Sequence, residues 1–349
     1  MLERTTSFPY PRSVFAGSNT ADGFVSQFDI LLRGCLRVYI LKGSPGSGKS
    51  TLLRAVAARA RAENEPYTEI LCSADTDSLD GVILHNRRTA VIDGTAPHAA
   101  EAVYPGARER ILNLGDCLDT HALFERREEI ITLVSKKSRR YKNAYALLGA
   151  ANTLRGAAIA NMTDALRAEK MQAFAARFCR RFPKDSTPFE LLWPRYARTA
   201  DGEVELDVFD PVERYTVADS FGEGFLLTEA LAQQARAEGI PFVVSPDALN
   251  ARKIRSLYFP ATGTFVAVGE GEAESKRINM KRFIDPEKEK ETRRLNRLFR
   301  KGCRLLLDDA TEAFASARTL HFELEDIYVA AMDFRKADRL RDMLINEIF

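Results

Sequence analysis

No run of about 18 apolar residues, the length that spans a bilayer core, occurs anywhere in the 349-residue sequence. The opening residues, MLERTTSFPYPRS, lack the apolar centre of an export signal, so the expectation is a cytoplasmic chain without membrane insertion. Cysteine is sparse and scattered: Cys35, Cys72, Cys117, Cys179 and Cys303 form no CxxC pair and have no paired histidine. An odd, dispersed set excludes a disulfide framework and a zinc site and reads as reduced thiols. A charge excess is absent as well. With 51 Lys+Arg against 49 Asp+Glu, the net charge of +2 supplies no global field to recruit nucleic acid or anionic lipid. Hydrophobic residues make up 45% of the sequence, enough for two cores in a chain of this length.

What is present is written twice. RAENEPY at 61–67 recurs as RAEGIPF at 236–242, an offset of 175 residues (236 − 61). TADG occurs at 20–23 and at 199–202, and TAVIDG (89–94) lies over TFVAVG (264–269). Further along, ILNLGDCLD (111–119) lies over RINMKRFID (277–285), and NAYALLGAANTL (143–154) over DATEAFASARTL (309–320). Colinear matches with loop-sized changes of offset indicate tandem duplication, with units at residues 1–183 and 184–349.

The local patterns give each unit the same plan. In the first, LRVYILK (36–42), YTEILCS (67–73) and TAVID (89–93) are β-branched and apolar runs that read as strands. STLLRAVAARARAEN (50–64) has apolar positions at helical spacing, and the Ala-, Leu- and charge-rich stretch from Leu118 to Phe182 reads as two long helices. The second unit repeats this with a helix at 226–238, strands near 242–245 and 264–268, and helices from about 286 to 348. FPKDSTPFELLWP (182–194), with three prolines, reads as the connector. The expected fold is α/β: tandem repeats, each a mostly parallel sheet with flanking helices and a long helical arm.

Between the first strand and the first helix stands GSPGSGKS (43–50), which fits G-x-x-x-x-G-K-[ST] in the required strand–loop–helix context. Gly43, Gly46 and Gly48 let the backbone curl so that successive N–H groups of Ser44, Pro45's neighbours and Ser47 face one phosphate, and the following helix adds its positive N-terminal end. Lys49 is placed to reach the β- and γ-phosphates, Ser50 to complete a Mg²⁺ shell, and Thr51 to open the helix. A second Mg²⁺ contact in such sites comes from an aspartate ending an apolar strand of the same sheet, and AVID supplies Asp93.

FAGSNTADGF (15–24), GSPGSGKST (43–51), CSADTDSLDGV (72–82), VIDGTAPH (91–98) and YPGARERILNLGD (104–116) together resemble a family of two-repeat bacterial P-loop ATP-binding proteins. The resemblance is dense over residues 15–116 and looser in the second unit. It implies a cytosolic ATPase-like protein using ATP and Mg²⁺ through Gly43–Thr51 and Asp93. One departure stands out. Many P-loop ATPases follow the strand aspartate with a glutamate that polarises the attacking water, and here the next residue is Gly94. Asp75, Asp77 and Asp80, in a loop after a strand, and His98 are alternatives, although clustered Asp and Ser also serve turns by bonding their own backbone.

Three functions stay open: an ATPase or ATP-dependent switch with moving arms, a small-molecule or nucleotide kinase, and a nucleotide-binding scaffold with negligible turnover. No N-K-x-D motif selects guanine and no LSGGQ-like segment marks an ABC-type ATPase. The basic run KKSRRYK (136–142) reads as a solvated helix face, since the aligned GCRLLLD (302–308) does not keep it. A protein or small-molecule partner is left unspecified. In the second unit Gly224 lies under Lys49, Phe225 under Ser50 and Val268 under Asp93, so one nucleotide per chain is expected. Arg252 and Arg255, in the second-unit segment aligned with the Asp75–Asp80 loop, are candidates for an arginine donated to the phosphates.

Overall fold

The computed structural model describes residues 10–97, 99–270 and 274–349. The first half runs β1 (Ser13–Phe15), a hairpin of β2 (Gly17–Thr20) and β3 (Gly23–Ser26), α1 (Phe28–Leu31), β4 (Arg37–Lys42) and α2 (Lys49–Ala62). It continues with β5 (Tyr67–Leu71), β6 (Leu79–Leu84), β7 (Thr89–Asp93), β8 (Glu109–Asn113), α3 (Thr120–Glu125), α4 (Arg127–Asp164) and α5 (Ala168–Cys179). The second half runs β9 (Glu190–Leu192), a hairpin of β10 (Tyr196–Thr199) and β11 (Gly202–Glu205), β12 (Glu213–Ala218) and α6 (Gly224–Glu238). After these come β13 (Phe242–Pro246), β14 (Ile254–Phe259), β15 (Thr264–Val268), β16 (Lys276–Asn279), α7 (Pro286–Ala330) and α8 (Phe334–Ile348).

Each half holds a six-stranded sheet of one design. The first is ordered β1-β5-β6-β7-β4-β8 and the second, read from the other edge, β9-β13-β14-β15-β12-β16. Directions agree strand by strand: β6 and β14 run antiparallel to both neighbours, and the remaining pairings are parallel. The reversed strand has a simple cause. The links into and out of β6 are short turns, and a parallel neighbour needs a crossover of a dozen or more residues. The sheets are therefore mixed, mostly parallel. β6 is absent from the sequence reading because Asp80 and Gly81, poor strand formers, interrupt its apolar pattern. The proline-rich connector also contains a strand, β9, which adds to β13.

Strand alternation divides the sheets between three cores. Tyr39 and Leu41 of β4 pack with α2, whereas Val38 and Ile40 face the opposite side. That opposite side meets the second sheet: Val14, Ile40 and Ile92 share a cluster with Trp193, Phe209, Val243 and Phe265. The two sheets lie back to back, so the long helices cover only one face of each. This differs from the flanking of each sheet by its own helices that the sequence suggested.

The arms explain the rest of the cover. Helices α4 and α7 run antiparallel along a seam of small and aromatic residues, in which Ala144, Leu148 and Ala151 meet Ala310 and Phe314. The rings of Tyr141 and Tyr145 stand edge-on to Phe314 at 5.7 and 5.9 Å. Asn161 Nδ2 donates to Oδ1 of the fully buried Asn296 (2.7 Å), a polar pair that fixes register. Bridges Leu118–Met332 and Leu166–Ile284 tie the two ends. Beyond them the terminal helices are exchanged. Met171, Ala175 and Phe178 of α5 pack into the second half's core with Leu231, Phe242 and Phe259, while Ala337 and Leu344 of α8 pack into the first half's core with Leu53, Val56 and Leu84. Core membership thus crosses the 183/184 division that the sequence suggested, in both directions.

Leu344 is fully buried in a core whose other buried members, apart from its own helix and Met332, lie at least 227 residues earlier in sequence (344 − 117). Leu344→Ala is expected to cost about 2–5 kcal/mol and to destabilise the first half from the chain's last helix. Urea unfolding followed by near-ultraviolet signals, with wild-type stability in the variant as the contrary outcome, checks this.

Candidate nucleotide-binding site

β4 ends at Lys42 and α2 begins at Lys49, so the octet forms the loop between β4 and the first turn of α2. Gly46 (φ 71°) and Gly48 (φ 86°) occupy the left-handed region that favours glycine. Gly48 is the N-cap of α2. Ser47 is buried and its hydroxyl donates to the Ser44 carbonyl (2.8 Å), holding the curl. Lys49 Nζ lies within the loop, donating to the carbonyls of Gly43 (2.9 Å) and Ser44 (2.8 Å), 3.7 Å from Asp93 Oδ2. Its ammonium bonds the loop's own carbonyls, contacts that a phosphate oxygen would replace.

Asp93 ends β7, beside β4 in the sheet. Its Oδ1 accepts from the backbone N (2.8 Å) and hydroxyl (2.6 Å) of Thr95, which orients Oδ2 toward Lys49. Ser50 Oγ accepts from Leu79 N (3.1 Å) at the start of β6. The structure places Lys49 beside Asp93, while the Ser50 hydroxyl is engaged with β6. Pro45 is half-buried and Thr51 faces solvent on α2, outside this cluster.

The aspartate loop behaves differently. Asp75 accepts from the Ser78 hydroxyl (2.8 Å) and from Asp77 N (3.3 Å), which is turn chemistry. Asp77 is exposed and its carbonyl accepts from Arg54. Asp80 is buried on β6, beside Cys72, whose thiol burial and the Asp80 charge push well above the ordinary range. His98 lies outside the described residues. Gly94 has a packing reason: a Cβ there would fall 2.3 Å from Ile40 Cγ2. No side chain, glutamate included, fits after Asp93 without moving the core.

Part of the site's wall comes from the other half. The C-terminal end of α7 rests on the loop, where a Cβ at Gly46 would fall 2.6 Å from Val329 Cγ2 and 3.0 Å from Glu325 Cγ. One turn earlier His321 faces Lys137 of α4, Nδ1 to Nζ 3.4 Å. Burial, then the charges of Lys137 and Lys49, push the His321 imidazole down to about 4, so it is neutral near pH 7. Burial, with the charges of Asp326 and Asp75 against that of Lys49, raises the carboxyl of Glu325. Neither residue has a local motif. The available signal was the repeat itself, which places Ile159 under Glu325 and Arg155 under His321 at the 166-residue offset (325 − 159) of the arms.

The second half shows what becomes of this loop without its lysine. Asp219 follows β12 and its Oδ2 accepts from Gly224 N (2.8 Å), the residue at Lys49's position. Glu223, buried, accepts from the N–H groups of Ser220 (3.0 Å) and Phe221 (2.8 Å). The chain's own carboxylates take the acceptor role that a phosphate would have. Phe225 and Val268 are buried and apolar. Beside this loop a cavity of about 390 Å³ is lined by Arg155, Arg198, Arg300 and Arg304 among others. Arg255 is half-buried, 3.6 Å from Glu203, and Arg252 pairs with Asp22 (3.2 Å) on the surface, so neither is seen at the Lys49 cluster.

Among the described residues no helix is long and apolar enough to cross a membrane. In KKSRRYK, Lys136, Arg139, Arg140 and Lys142 are exposed while Tyr141 turns into the arm seam, as a solvated helix face requires. Among curated proteins and among solved structures nothing matches the chain. One family model does match, over residues 39–182: AAA domain (dynein-related subfamily). Running from the strand before the octet to the end of the first arm, that match supports reading the first half as an ATP-binding domain of the P-loop NTPase superfamily, the AAA proteins.

Proposed function

We propose that the chain is an ATP-dependent switch with ATPase activity, working through one Mg²⁺–ATP site in residues 1–183, while residues 184–349 form a repeat kept for support. The observation that carries this reading is the placement of Lys49 beside Asp93, with Ser50 next to it, in the first turn of the helix that follows the glycine-rich loop. The backbone N–H groups of the loop, other than Pro45, would hold the β- and γ-phosphates, and Lys49 would exchange its two carbonyl contacts for phosphate oxygens. Ser50 Oγ and, through Oδ2, Asp93 hold the metal. Among the described residues no group of three or more His, Cys, Asp or Glu side chains forms a metal cluster. That suits Mg²⁺, which needs few protein ligands when phosphates and waters complete its shell. Mg²⁺ held there would supply positive charge that neutralises the phosphates.

The arms favour a switch over a kinase. Helix α7 touches the phosphate loop at Gly46 and continues, paired with α4, along the whole molecule. A nucleotide-dependent shift at the loop has a rigid element to carry it. The two-repeat P-loop family that the sequence resembles and a cytoplasmic location fit the same reading.

Lys49→Ala is expected to lower affinity for a non-hydrolysable ATP analogue about ten- to a hundred-and-fifty-fold, the loss of one charge-assisted contact of roughly 1.5–3 kcal/mol, with unfolding unchanged. Calorimetric titration measures this directly, and equal affinity would remove Lys49 from the site. The same titration should give a stoichiometry near one per chain, since Asp219 and Glu223 fill the second loop. Two sites would overturn the division of roles. Asp93→Asn should weaken Mg²⁺ dependence more than nucleotide affinity, and superimposable Mg²⁺ titrations of the two proteins would exclude Asp93 as a ligand.

A further inference from the structure

We propose that Glu325, on the arm of the second half, is the carboxylate that activates water at the nucleotide site of the first. This rests on the Mg²⁺–ATP reading given above. Four observations point to it. The usual position, after Asp93, is closed to any side chain by the contact of Gly94 with Ile40. Glu325 instead reaches the phosphate loop itself, with its Cγ 3.0 Å from where a Gly46 Cβ would stand. Its carboxyl lies close enough to Lys49 and Asp75 for both charges to act on it.

The fourth observation is a comparison inside the molecule. The second half repeats this contact with Gly222 (φ 95°) against Ile159, whose Cγ1 also lies 3.0 Å from the hypothetical Cβ. An apolar side chain therefore satisfies the packing at this position. The half that has lost Lys49, Ser50 and Asp93 to Gly224, Phe225 and Val268 has isoleucine here, and the half that keeps them has glutamate. Packing does not require the acid. Partial burial of Glu325 raises its proton affinity, the direction that favours a proton acceptor.

The step balances simply. A water oxygen forms a bond to the γ-phosphorus while the bond from that phosphorus to the β,γ-bridging oxygen breaks, and the electron pair leaves on ADP. The water proton passes to the Glu325 carboxylate and from there to solvent. Because the base comes from α7, hydrolysis depends on the arm's seating on the loop.

The test uses the full chain as wild type, Glu325→Gln, Glu325→Asp and Lys49→Ala. Affinity for a Mg²⁺-bound, non-hydrolysable ATP analogue and single-turnover hydrolysis of ATP are measured in each. Expected are Glu325→Gln binding within about threefold of wild type, hydrolysis reduced on the order of 100-fold or more, and partial recovery in Glu325→Asp. Hydrolysis by Glu325→Gln at the wild-type rate would overturn the proposal, as would its loss of binding together with turnover. A wild-type chain that binds the analogue, in a Lys49-dependent way, yet hydrolyses nothing would overturn it and leave the binding site standing. Absence of binding by the wild type would instead remove the nucleotide reading from which it follows.

Discussion

The pairing of α4 with α7 is the constraint on which the molecule depends. Two equivalent helices packed antiparallel relate their halves by an approximate two-fold axis, and each must then continue over the other's sheet. The bridges Leu118–Met332 and Leu166–Ile284 hold the two crossing points at equivalent places. From there α5 closes the second half's core and α8 the first half's. The remaining faces of the sheets close on one another through Trp193, Phe209 and Ile40. Each sheet thus has one face buried by the other sheet and another buried partly by a borrowed helix. Apolar burial is the dominant stabilising term, and here none of it is complete without both halves.

A two-fold backbone carries one-sided chemistry. Buried backbone N–H and C=O groups require partners, and the two loops find them differently. In the first half the loop is curled around Lys49, which spends its donors on the carbonyls of Gly43 and Ser44. In the second, Glu223 and Asp219 bring carboxylate oxygens to the amides of Ser220, Phe221 and Gly224. Burial raises the carboxyls of both acids. Gly224 also leaves no space for a lysine, since a Cβ would meet Asp219 Oδ2 and Val268 Cγ1 at 2.8 Å. A loop shaped for an external anion can persist after the anion is lost when its own side chains satisfy the nest. The retained second half then remains a stable neighbour that positions α7 on the first half's loop.

The sequence alone carried whatever depends on neighbours along the chain. The octet's glycines, its lysine and its strand–helix setting are local, as is the aspartate closing the apolar run of β7. The repeat was legible because helical and strand periodicities survive divergence, and the boundaries of α6 (Gly224–Glu238) and β15 (Thr264–Val268) fall where the pattern ends. β6 was not legible, because Asp80 and Gly81 break its alternation and its burial on both faces comes from α2 and the second sheet. Only tertiary structure decided the exchange of α5 and α8, the back-to-back sheets and the seating of Glu325 against Gly46. Those relations join residues hundreds of positions apart, and what selects them is the fit of surfaces that no stretch of sequence contains by itself. Gly94 shows the boundary between the two. Its place after Asp93 is plain in the sequence, while the reason that nothing larger stands there is a methyl group of Ile40 on the adjacent strand.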